Sequence, residues 1–219
     1  MKKKNERGQG PAAVKLPMQE LPDKAQYIRN QILDMCVRAR TGHVTSSFSS
    51  VEILVALYYG GIIRQDKDNP QNPGRDRFIL SKGQASPLLY AILADLGYFP
   101  GKELGRFCSA DGIFGVHLQN DVSGVEISSG SLGHGLGVAA GIALAAKLDR
   151  KPFLTFVLLG DGECHEGSVW EAAMFAGHHQ LNNLVCIVDR NRLCATDFTE
   201  HCVRLDPLDK KWTAFVWDA

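Results

Sequence analysis

Two short polar segments, each directly after an apolar run, carry residue types that bind a divalent cation. The first is Gly160-Asp161-Gly162-Glu163, and the second ends in Asn191, thirty residues after the aspartate. The apolar runs before them, residues 153–159 and 184–188, are short and rich in β-branched and aromatic residues, which is typical of strands buried on both faces. A helical pattern over residues 168–177 would join them, so both strand ends should lie at one edge of a sheet.

At that edge, Asp161 would supply a charged oxygen and Asn191 a neutral one to the same ion. Mg²⁺ is a hard cation that prefers oxygen ligands and is commonly shared between protein and substrate phosphates. The main-chain carbonyl of Leu193 and the oxygens of a diphosphate could complete the coordination. The pattern therefore predicts a metal site for Mg²⁺, or for Ca²⁺ or Mn²⁺, that bridges two phosphates. A Gly-Asp-Gly turn alone is common, so it needs support from the rest of the chain.

The order of elements along the chain supports such a sheet. Patterns of apolar residues predict helices at about 23–40, 50–59 and 87–96, a further helix that ends near Lys147, and a strand at 77–80. Alternating strands and helices predict an α/β fold with an open, mostly parallel sheet and helices on both faces. In such sheets, ligands bind beyond the carboxyl ends of the strands.

Several further segments, in this order and near these spacings, resemble the N-terminal part of transketolases, which are enzymes that depend on thiamine diphosphate. The segments that carry the resemblance are Thr41-Gly42-His43, residues 76–83, Gly115-Val116-His117, residues 130–135, and the Gly-Asp-Gly turn with its distant Asn191. The resemblance runs from about Asp23 to the last residue, so it is far more specific than any single motif. It implies the thiamine diphosphate-binding fold of the diphosphate-binding type, with residues 21–219 as its domain.

The resemblance also implies roles for individual residues. His43 and His117 would transfer protons or bind substrate hydroxyl groups, a role worth about 10²–10⁴ in rate. Gln84 takes the place of a third histidine that the family has in this catalytic segment. The cofactor-binding residues that the resemblance implies are Gly130, Ser131 and Leu132 at the aminopyrimidine ring, Gly160, Gly162, Glu163 and Asn191 near the diphosphate, and Glu166 near the cofactor's other binding chain.

The reaction implied is the transfer of a two-carbon ketol unit from a ketose to an aldose, with sugars or sugar phosphates as substrates. In this family a second, pyrimidine-binding domain normally follows in the same polypeptide, and this chain ends at Ala219 before it could begin. We therefore expect a diphosphate-binding subunit of a split transketolase, shortened at its C-terminus and active only with a C-terminal pyrimidine-domain partner.

Two other classes of protein stay open. One is a related thiamine diphosphate enzyme, such as a 2-oxoacid dehydrogenase E1 subunit or a deoxyxylulose phosphate synthase, which the His43 and Ser81 segments fit less well. The other is a non-catalytic subunit that kept the fold, which Gln84 and the short C-terminus favour.

Composition excludes some functions. The chain has 219 residues with 24 basic and 24 acidic side chains, so its formal charge is zero and no basic footprint for nucleic acid is visible. No apolar run is long enough to cross a membrane. The six cysteines have no metal-binding spacing, which is typical of reduced thiols in a cytoplasmic protein. Residues 1–20, basic at the start, are predicted to be a flexible tail without a secretory signal.

Overall fold

The structure is a computed structural model that describes residues 10–219. Its α-helices are α1 (Leu21–Ala39), α2 (Val44–Phe48), α3 (Val51–Tyr59), α4 (Ser86–Leu96), α5 (Gly135–Leu148), α6 (Gly167–His178), α7 (Thr199–Cys202) and α8 (Leu208–Ala214). Its strands are β1 (Ala13–Lys15), β2 (Gly60–Arg64), β3 (Arg77–Leu80), β4 (Thr155–Gly160) and β5 (Leu184–Asp189). Short 3₁₀ helices cover Met18–Glu20, Gly83–Ala85, Gly101–Arg106 and Gly162–His165.

The main sheet is parallel and has the strand order β3-β4-β5. Arg77 pairs with Thr155 at its start, and Gly160 pairs with Asp189 at its carboxyl end. Parallel neighbours need a crossover connection, and α4 and α5 lie between β3 and β4, while α6 lies between β4 and β5. Because the strands are consecutive in order, the three loops that leave their carboxyl ends are neighbours in space.

Helices cover both faces of this sheet because successive strand residues point to opposite sides. On one face, Phe78, Leu80, Phe156 and Leu158 pack into a core with residues of α1, α3 and α4. On the other face, Ile79, Val157 and Leu159 pack with residues of α5 and α6. The predicted open, mostly parallel α/β architecture with helices on both faces is confirmed.

Small residues set how closely α5 approaches the sheet. Gly135 is the first residue of α5 and is buried, and a side chain there would collide with Ser81, which directly follows β3. The amide of Gly135 donates a hydrogen bond to the Ser81 hydroxyl, at 3.1 Å. This contact fixes the start of α5 at the carboxyl end of β3.

The prediction of a flexible tail over residues 1–20 is wrong for part of that range. Residues 1–9 lie outside the described residues, but β1 pairs antiparallel with β2. The amide of Leu16 donates to the carbonyl of Tyr59 at 2.8 Å, and the Leu16 side chain packs on the core around α1 and α3. The segment is ordered because β2 offers it main-chain partners, which its own composition does not reveal.

Two further features of the described chain concern its helices and its cysteines. Between residues 10 and 219, no helix is both long and apolar enough to span a bilayer. All six cysteines have free thiols.

Candidate functional site

A buried ion pair ties the ends of β3 and β5 together. The Lys82 ammonium lies 2.7 Å from Oδ2 of Asp189, and the two side chains are 5% and 6% exposed. The hydroxyls of Ser49 and Ser50, between α2 and α3, donate to the same oxygen at 2.6 and 2.7 Å. Burial pushes the pKa of Asp189 up, but the ammonium and the two hydroxyls outweigh it and hold that pKa below its usual range.

The Gly-Asp-Gly turn meets the loop after β5 through the carboxylate of Asp161. Its Oδ1 accepts from the amide of Gly162 at 2.9 Å, and its Oδ2 accepts from the Arg190 guanidinium at 2.8 Å and the amide of Arg192 at 2.7 Å. Asn191 lies between these two arginines, and its Oδ1 accepts from the amide of Leu193 at 2.9 Å. The structure therefore brings the predicted metal ligands into two adjoining loops.

These residues fit a hard cation. Asp161 and Asn191 present carboxylate and amide oxygens, and each Oδ1 accepts a single protein hydrogen bond, which leaves a second lone pair. Within residues 10–219 there is no group of three or more His, Cys, Asp or Glu side chains that could hold a metal ion. A cation here would rely on one carboxylate and on oxygens from outside the chain, which is the usual arrangement for Mg²⁺ bound with phosphates.

Glu163, a predicted cofactor contact, has its carboxylate among three protein donors. It is only 2% exposed, and its carboxylate accepts from the hydroxyl of Ser81, from the amide of Gly133 at 2.9 Å and from the amide of Gly160 at 3.1 Å. Burial raises its pKa, and these three donors oppose that effect. This side chain joins its own turn to the loops of Ser81 and Gly133, and its predicted contact with the cofactor stays a prediction.

The two predicted catalytic histidines lie side by side. The ring centroids of His43 and His117 are 5.7 Å apart. His43 directly precedes α2 and is exposed, whereas His117 is half-buried in the loop after Phe114. Although the residue as a whole is exposed, partial desolvation of its ring lowers the pKa of His43, and the neighbouring imidazole of His117 lowers it further. Near neutral pH His43 is therefore a neutral group that can accept a proton.

Gln84 and Gly130 adjoin this pair. The Gln84 amide donates to the carbonyl of Gly130 at 3.2 Å, and a Cβ at Gly130 would lie 3.0 Å from Cγ of His117. Gly130 has a φ of 154°, which a residue with a side chain rarely adopts. A glycine is thus required both by the backbone and by the ring of His117.

A cavity of about 380 Å³ opens beside these residues. Its walls include His117, Gly130, Ser131 and His134, and Ser131 is exposed to it. Leu132 lies in the same loop and is half-buried, and its carbonyl is 2.9 Å from Nδ1 of His134. A second cavity of about 450 Å³, between β5 and α8, contains none of the predicted site residues.

The His43 and His117 pair lies next to the two loops that carry Asp161 and Asn191. Lys82, which binds Asp189, is two residues before Gln84, and the amide of Asn191 lies 3.4 Å from Oγ of Ser49 in the segment that follows His43. Glu166 is exposed at the end of the Gly-Asp-Gly turn, and its side chain packs against Gly133. All the predicted site residues therefore fall at one edge of the sheet.

Sequence reasoning assigned no role to Lys82, Asp189 or Arg190. A signal was present for the first two, because each is a charged residue at the carboxyl end of an apolar strand, where a charge needs a partner once it is buried. Arg190 gave no such signal. Its guanidinium also binds Thr199, Glu200 and Asp206, at 2.8, 3.0 and 2.9 Å, and only the folded loop brings these acceptors together.

A parallel sheet whose strand ends present glycine-rich turns, one carboxylate and one amide is that of an α/β protein that binds a phosphate-bearing cofactor. The sequence profile described as the thiamine diphosphate-binding domain of transketolase matches residues 22–219. The chain belongs to this transketolase family.

Similar proteins are known from several organisms. The chain is 39% identical over 206 residues to one of the subunits of the apulose-4-phosphate transketolase of Phocaeicola vulgatus, covering 93% of this chain and 72% of that protein. It is 39% identical over 199 residues to 6-deoxy-6-sulfo-D-fructose transketolase subunit SqwG of a Clostridium species, covering 90% and 72%. The crystal structure of transketolase from Campylobacter jejuni superimposes with a TM-score of 0.85 and 29% identity, covering 91% of this chain and 32% of that one.

Proposed function

We propose that this chain is the diphosphate- and metal-binding subunit of a two-chain transketolase. The observation that carries the proposal is the meeting of the Asp161 turn and the Asn191 loop at the carboxyl ends of β4 and β5, beside the His43 and His117 pair. The complex would move a two-carbon ketol unit from a ketose to an aldose. Membership of a thiamine diphosphate-binding family supports the cofactor, and the oxygen ligands support Mg²⁺ or a similar ion.

Each part of the site would contribute differently. Thiamine diphosphate, when bound, supplies the nucleophilic carbon for cleaving and forming carbon–carbon bonds. Asp161, Asn191 and the Leu193 carbonyl would hold the cation, and the Gly130–Leu132 loop would pack against the ring end of the cofactor. Neutral His43 would accept a proton from a sugar hydroxyl, with His117 as its neighbour. Gln84, as a donor, would hold the Gly130 loop in place.

The names of two similar proteins support a proposal for the partner and the class of sugar. Two similar proteins are named as subunits of transketolases for apulose 4-phosphate and for 6-deoxy-6-sulfo-D-fructose. We therefore propose that the substrate is a sugar or sugar phosphate and that the partner is a C-terminal, pyrimidine-binding subunit. Six free cysteines are consistent with work in the reducing cytoplasm.

A second candidate is a protein that kept the fold without catalysis. Gln84 favours it, because an amide cannot act as a general acid or base near neutral pH and here binds a main-chain carbonyl. The same site would then bind cofactor for assembly only.

Replacement of the metal carboxylate tests the proposal. We expect Asp161→Asn to abolish Mg²⁺-dependent binding of thiamine diphosphate by the chain assembled with its partner, because it removes the charge and keeps a side chain of nearly the same shape. Quenching of tryptophan fluorescence during cofactor titration, with and without Mg²⁺, measures the affinity.

Asp206→Asn is the matched control. It removes another carboxylate partner of Arg190, at 2.9 Å, but not a predicted ligand, so cofactor affinity should change little. If Asp161→Asn keeps a normal unfolding temperature and an unchanged Mg²⁺-dependent affinity for thiamine diphosphate, Asp161 is not a metal ligand.

A further inference from the structure

Two cysteines lie in contact in the loop that follows the predicted metal ligands. The sulfur atoms of Cys194 and Cys202 are 3.6 Å apart, and both thiols are free. Cys194 directly follows Leu193, and Cys202 is the last residue of α7. The Cys194 side chain is half-buried, whereas Cys202 is exposed. No role in the site described above uses either thiol.

The backbone of this loop already holds the two residues close. The amide of Cys194 donates to the carbonyl of Asp197 at 2.8 Å, and the amide of Thr199 donates to the carbonyl of Arg192 at 3.0 Å, which closes a hairpin. The amide of Cys202 then donates to the carbonyl of Phe198 at 3.1 Å in the first turn of α7. A disulfide has an S–S distance of about 2.05 Å, so each sulfur needs to move by only about 0.8 Å.

The thiol pair also adjoins the Gly-Asp-Gly turn. A Cβ at Gly162 would lie 3.4 Å from Cα of Cys194 and 3.5 Å from its sulfur. Cys194 therefore packs against the backbone of the residue that follows Asp161. A covalent bond at Cys194 would act on both loops that carry the predicted metal ligands.

We propose that Cys194 and Cys202 are a redox modification site that forms a reversible disulfide by exchange with a low-molecular-weight disulfide. The exposed Cys202 thiolate attacks one sulfur of that disulfide, which gives a mixed disulfide and releases one thiol. The Cys194 thiolate then attacks the Cys202 sulfur and releases the second thiol. The two protein sulfurs are oxidised, the small disulfide is reduced, and the two thiol protons end on the released thiols.

The disulfide limits opening of the loop that holds Asn191 and Leu193. This consequence rests on the proposed function, whereas formation of the disulfide does not. A loop fixed near its ligand-binding conformation no longer has to be ordered when the ligand binds. Oxidation therefore tightens Mg²⁺-dependent cofactor binding by about two- to tenfold, the gain expected when one side chain need not be immobilised.

The experiment equilibrates the full chain, alone and assembled with its partner, with mixtures of reduced and oxidised glutathione. Peptide mapping by mass spectrometry should find a cross-link between the Cys194 and Cys202 peptides with the loss of two hydrogens, and dithiothreitol should reverse it. Cys202→Ser should form no cross-link, and Cys194→Ser should stop at the glutathione adduct of Cys202. Cys108→Ser is the matched control, because it removes an exposed cysteine elsewhere in the chain. It should form the Cys194–Cys202 cross-link as the wild-type protein does.

Wild-type protein that stops at glutathione adducts, or that cross-links through Cys108, overturns the proposal even if a serine variant fails to fold. Cofactor titration of the reduced and oxidised complexes then tests the coupling, and equal or weaker affinity after oxidation overturns it. Absence of Mg²⁺-dependent binding in the reduced complex contradicts the proposed function instead and leaves the disulfide result untouched.

Discussion

Two effects of different kinds lower the pKa of His43. Partial desolvation of the ring lowers its pKa most, and the imidazole of His117, 5.7 Å away, lowers it further. We expect a pKa below about 6.5, the ordinary value, and we expect His117→Asn to raise it without restoring that value. Titration of the imidazole nitrogens by NMR measures both, with the exposed His178→Asn as control. If His117→Asn leaves the pKa of His43 unchanged, the imidazole of His117 does not lower that pKa.

The same lowered pKa has a consequence for stability. A histidine whose pKa is lower in the folded state contributes stability that is present above its unfolded pKa, and that contribution is lost as the pH falls through its folded pKa. Acid should therefore weaken the His43 loop, and His117→Asn should lessen that weakening.

Gln84 is the residue at which the chain differs from the catalytic pattern that the resemblance implies. Its amide donates to the Gly130 carbonyl, a role that a histidine N–H could also fill. We expect Gln84→His to raise turnover on a phosphoketose donor by about tenfold or more, because acid–base groups contribute about 10²–10⁴. Gln84→Leu should lower cofactor affinity by about two- to tenfold through loss of one hydrogen bond.

Steady-state assays with the partner present separate the alternatives. Turnover that stays flat or falls in Gln84→His would mean that the glutamine suits a different substrate. A complex that stays inactive with either residue, despite normal cofactor binding, would support the non-catalytic candidate.

At the scale of elements, the Lys82–Asp189 pair joins the ends of β3 and β5 to the segment after His43. We expect Lys82→Met to lower the free energy of unfolding by about 3–5 kcal/mol, because it leaves a buried carboxylate without its cation. The double variant Lys82→Met/Asp189→Asn should recover part of that loss. Chemical denaturation with urea measures both, and a loss below about 1 kcal/mol in the single variant would show that water or the serines replace the ammonium.

The pH dependence of this pair has a definite sign. The pKa of Asp189 is lowered in the folded state, so its contribution to stability is present above its unfolded pKa. It is lost as the pH falls through the folded pKa, below the ordinary range of aspartate. Lys82→Met should remove this acid-dependent component from the stability profile.

The sequence was most informative where an element is long or buried on both faces. The strand predicted at 77–80 agrees with β3, and the helices predicted at 50–59 and 87–96 agree with α3 and α4 to within one residue. Strand β1 was missed because it has three residues and pairs with a strand distant in the chain, so no local pattern marks it.

Within the site, the proximity of Asp161 and Asn191 could be predicted from their positions after two apolar runs. The burial of Glu163 could not, because two of its three hydrogen-bond donors, Ser81 and Gly133, are distant from it in the chain. Likewise, the four acceptors around Arg190 converge only after the loop has folded over the Asp161 turn.

At the scale of the whole molecule, the chain covers 72% of its relative from Phocaeicola vulgatus and 32% of the Campylobacter transketolase chain. The site faces outward, because His43, Ser131 and Asn191 are exposed. A cofactor bound to this chain alone would therefore keep one side in water, where a partner chain would cover it. Coupling between two sites is commonly worth about 1–3 kcal/mol, or about 5- to 150-fold in affinity.

We therefore expect the isolated chain to show no ketol transfer and to bind thiamine diphosphate about 5- to 150-fold more weakly than the assembled complex. The coupling is reciprocal, so saturating cofactor with Mg²⁺ should tighten association of the two subunits by the same factor. Calorimetric titration of cofactor into chain and complex, and of one subunit into the other with and without cofactor, closes this thermodynamic cycle. Asp161→Asn should abolish the effect of the cofactor on subunit association, and the affinity of the two subunits without cofactor should stay unchanged. Ketol transfer by the chain alone, with mass spectrometry excluding a contaminating partner, would contradict the expectation, and so would equal cofactor affinities of chain and complex.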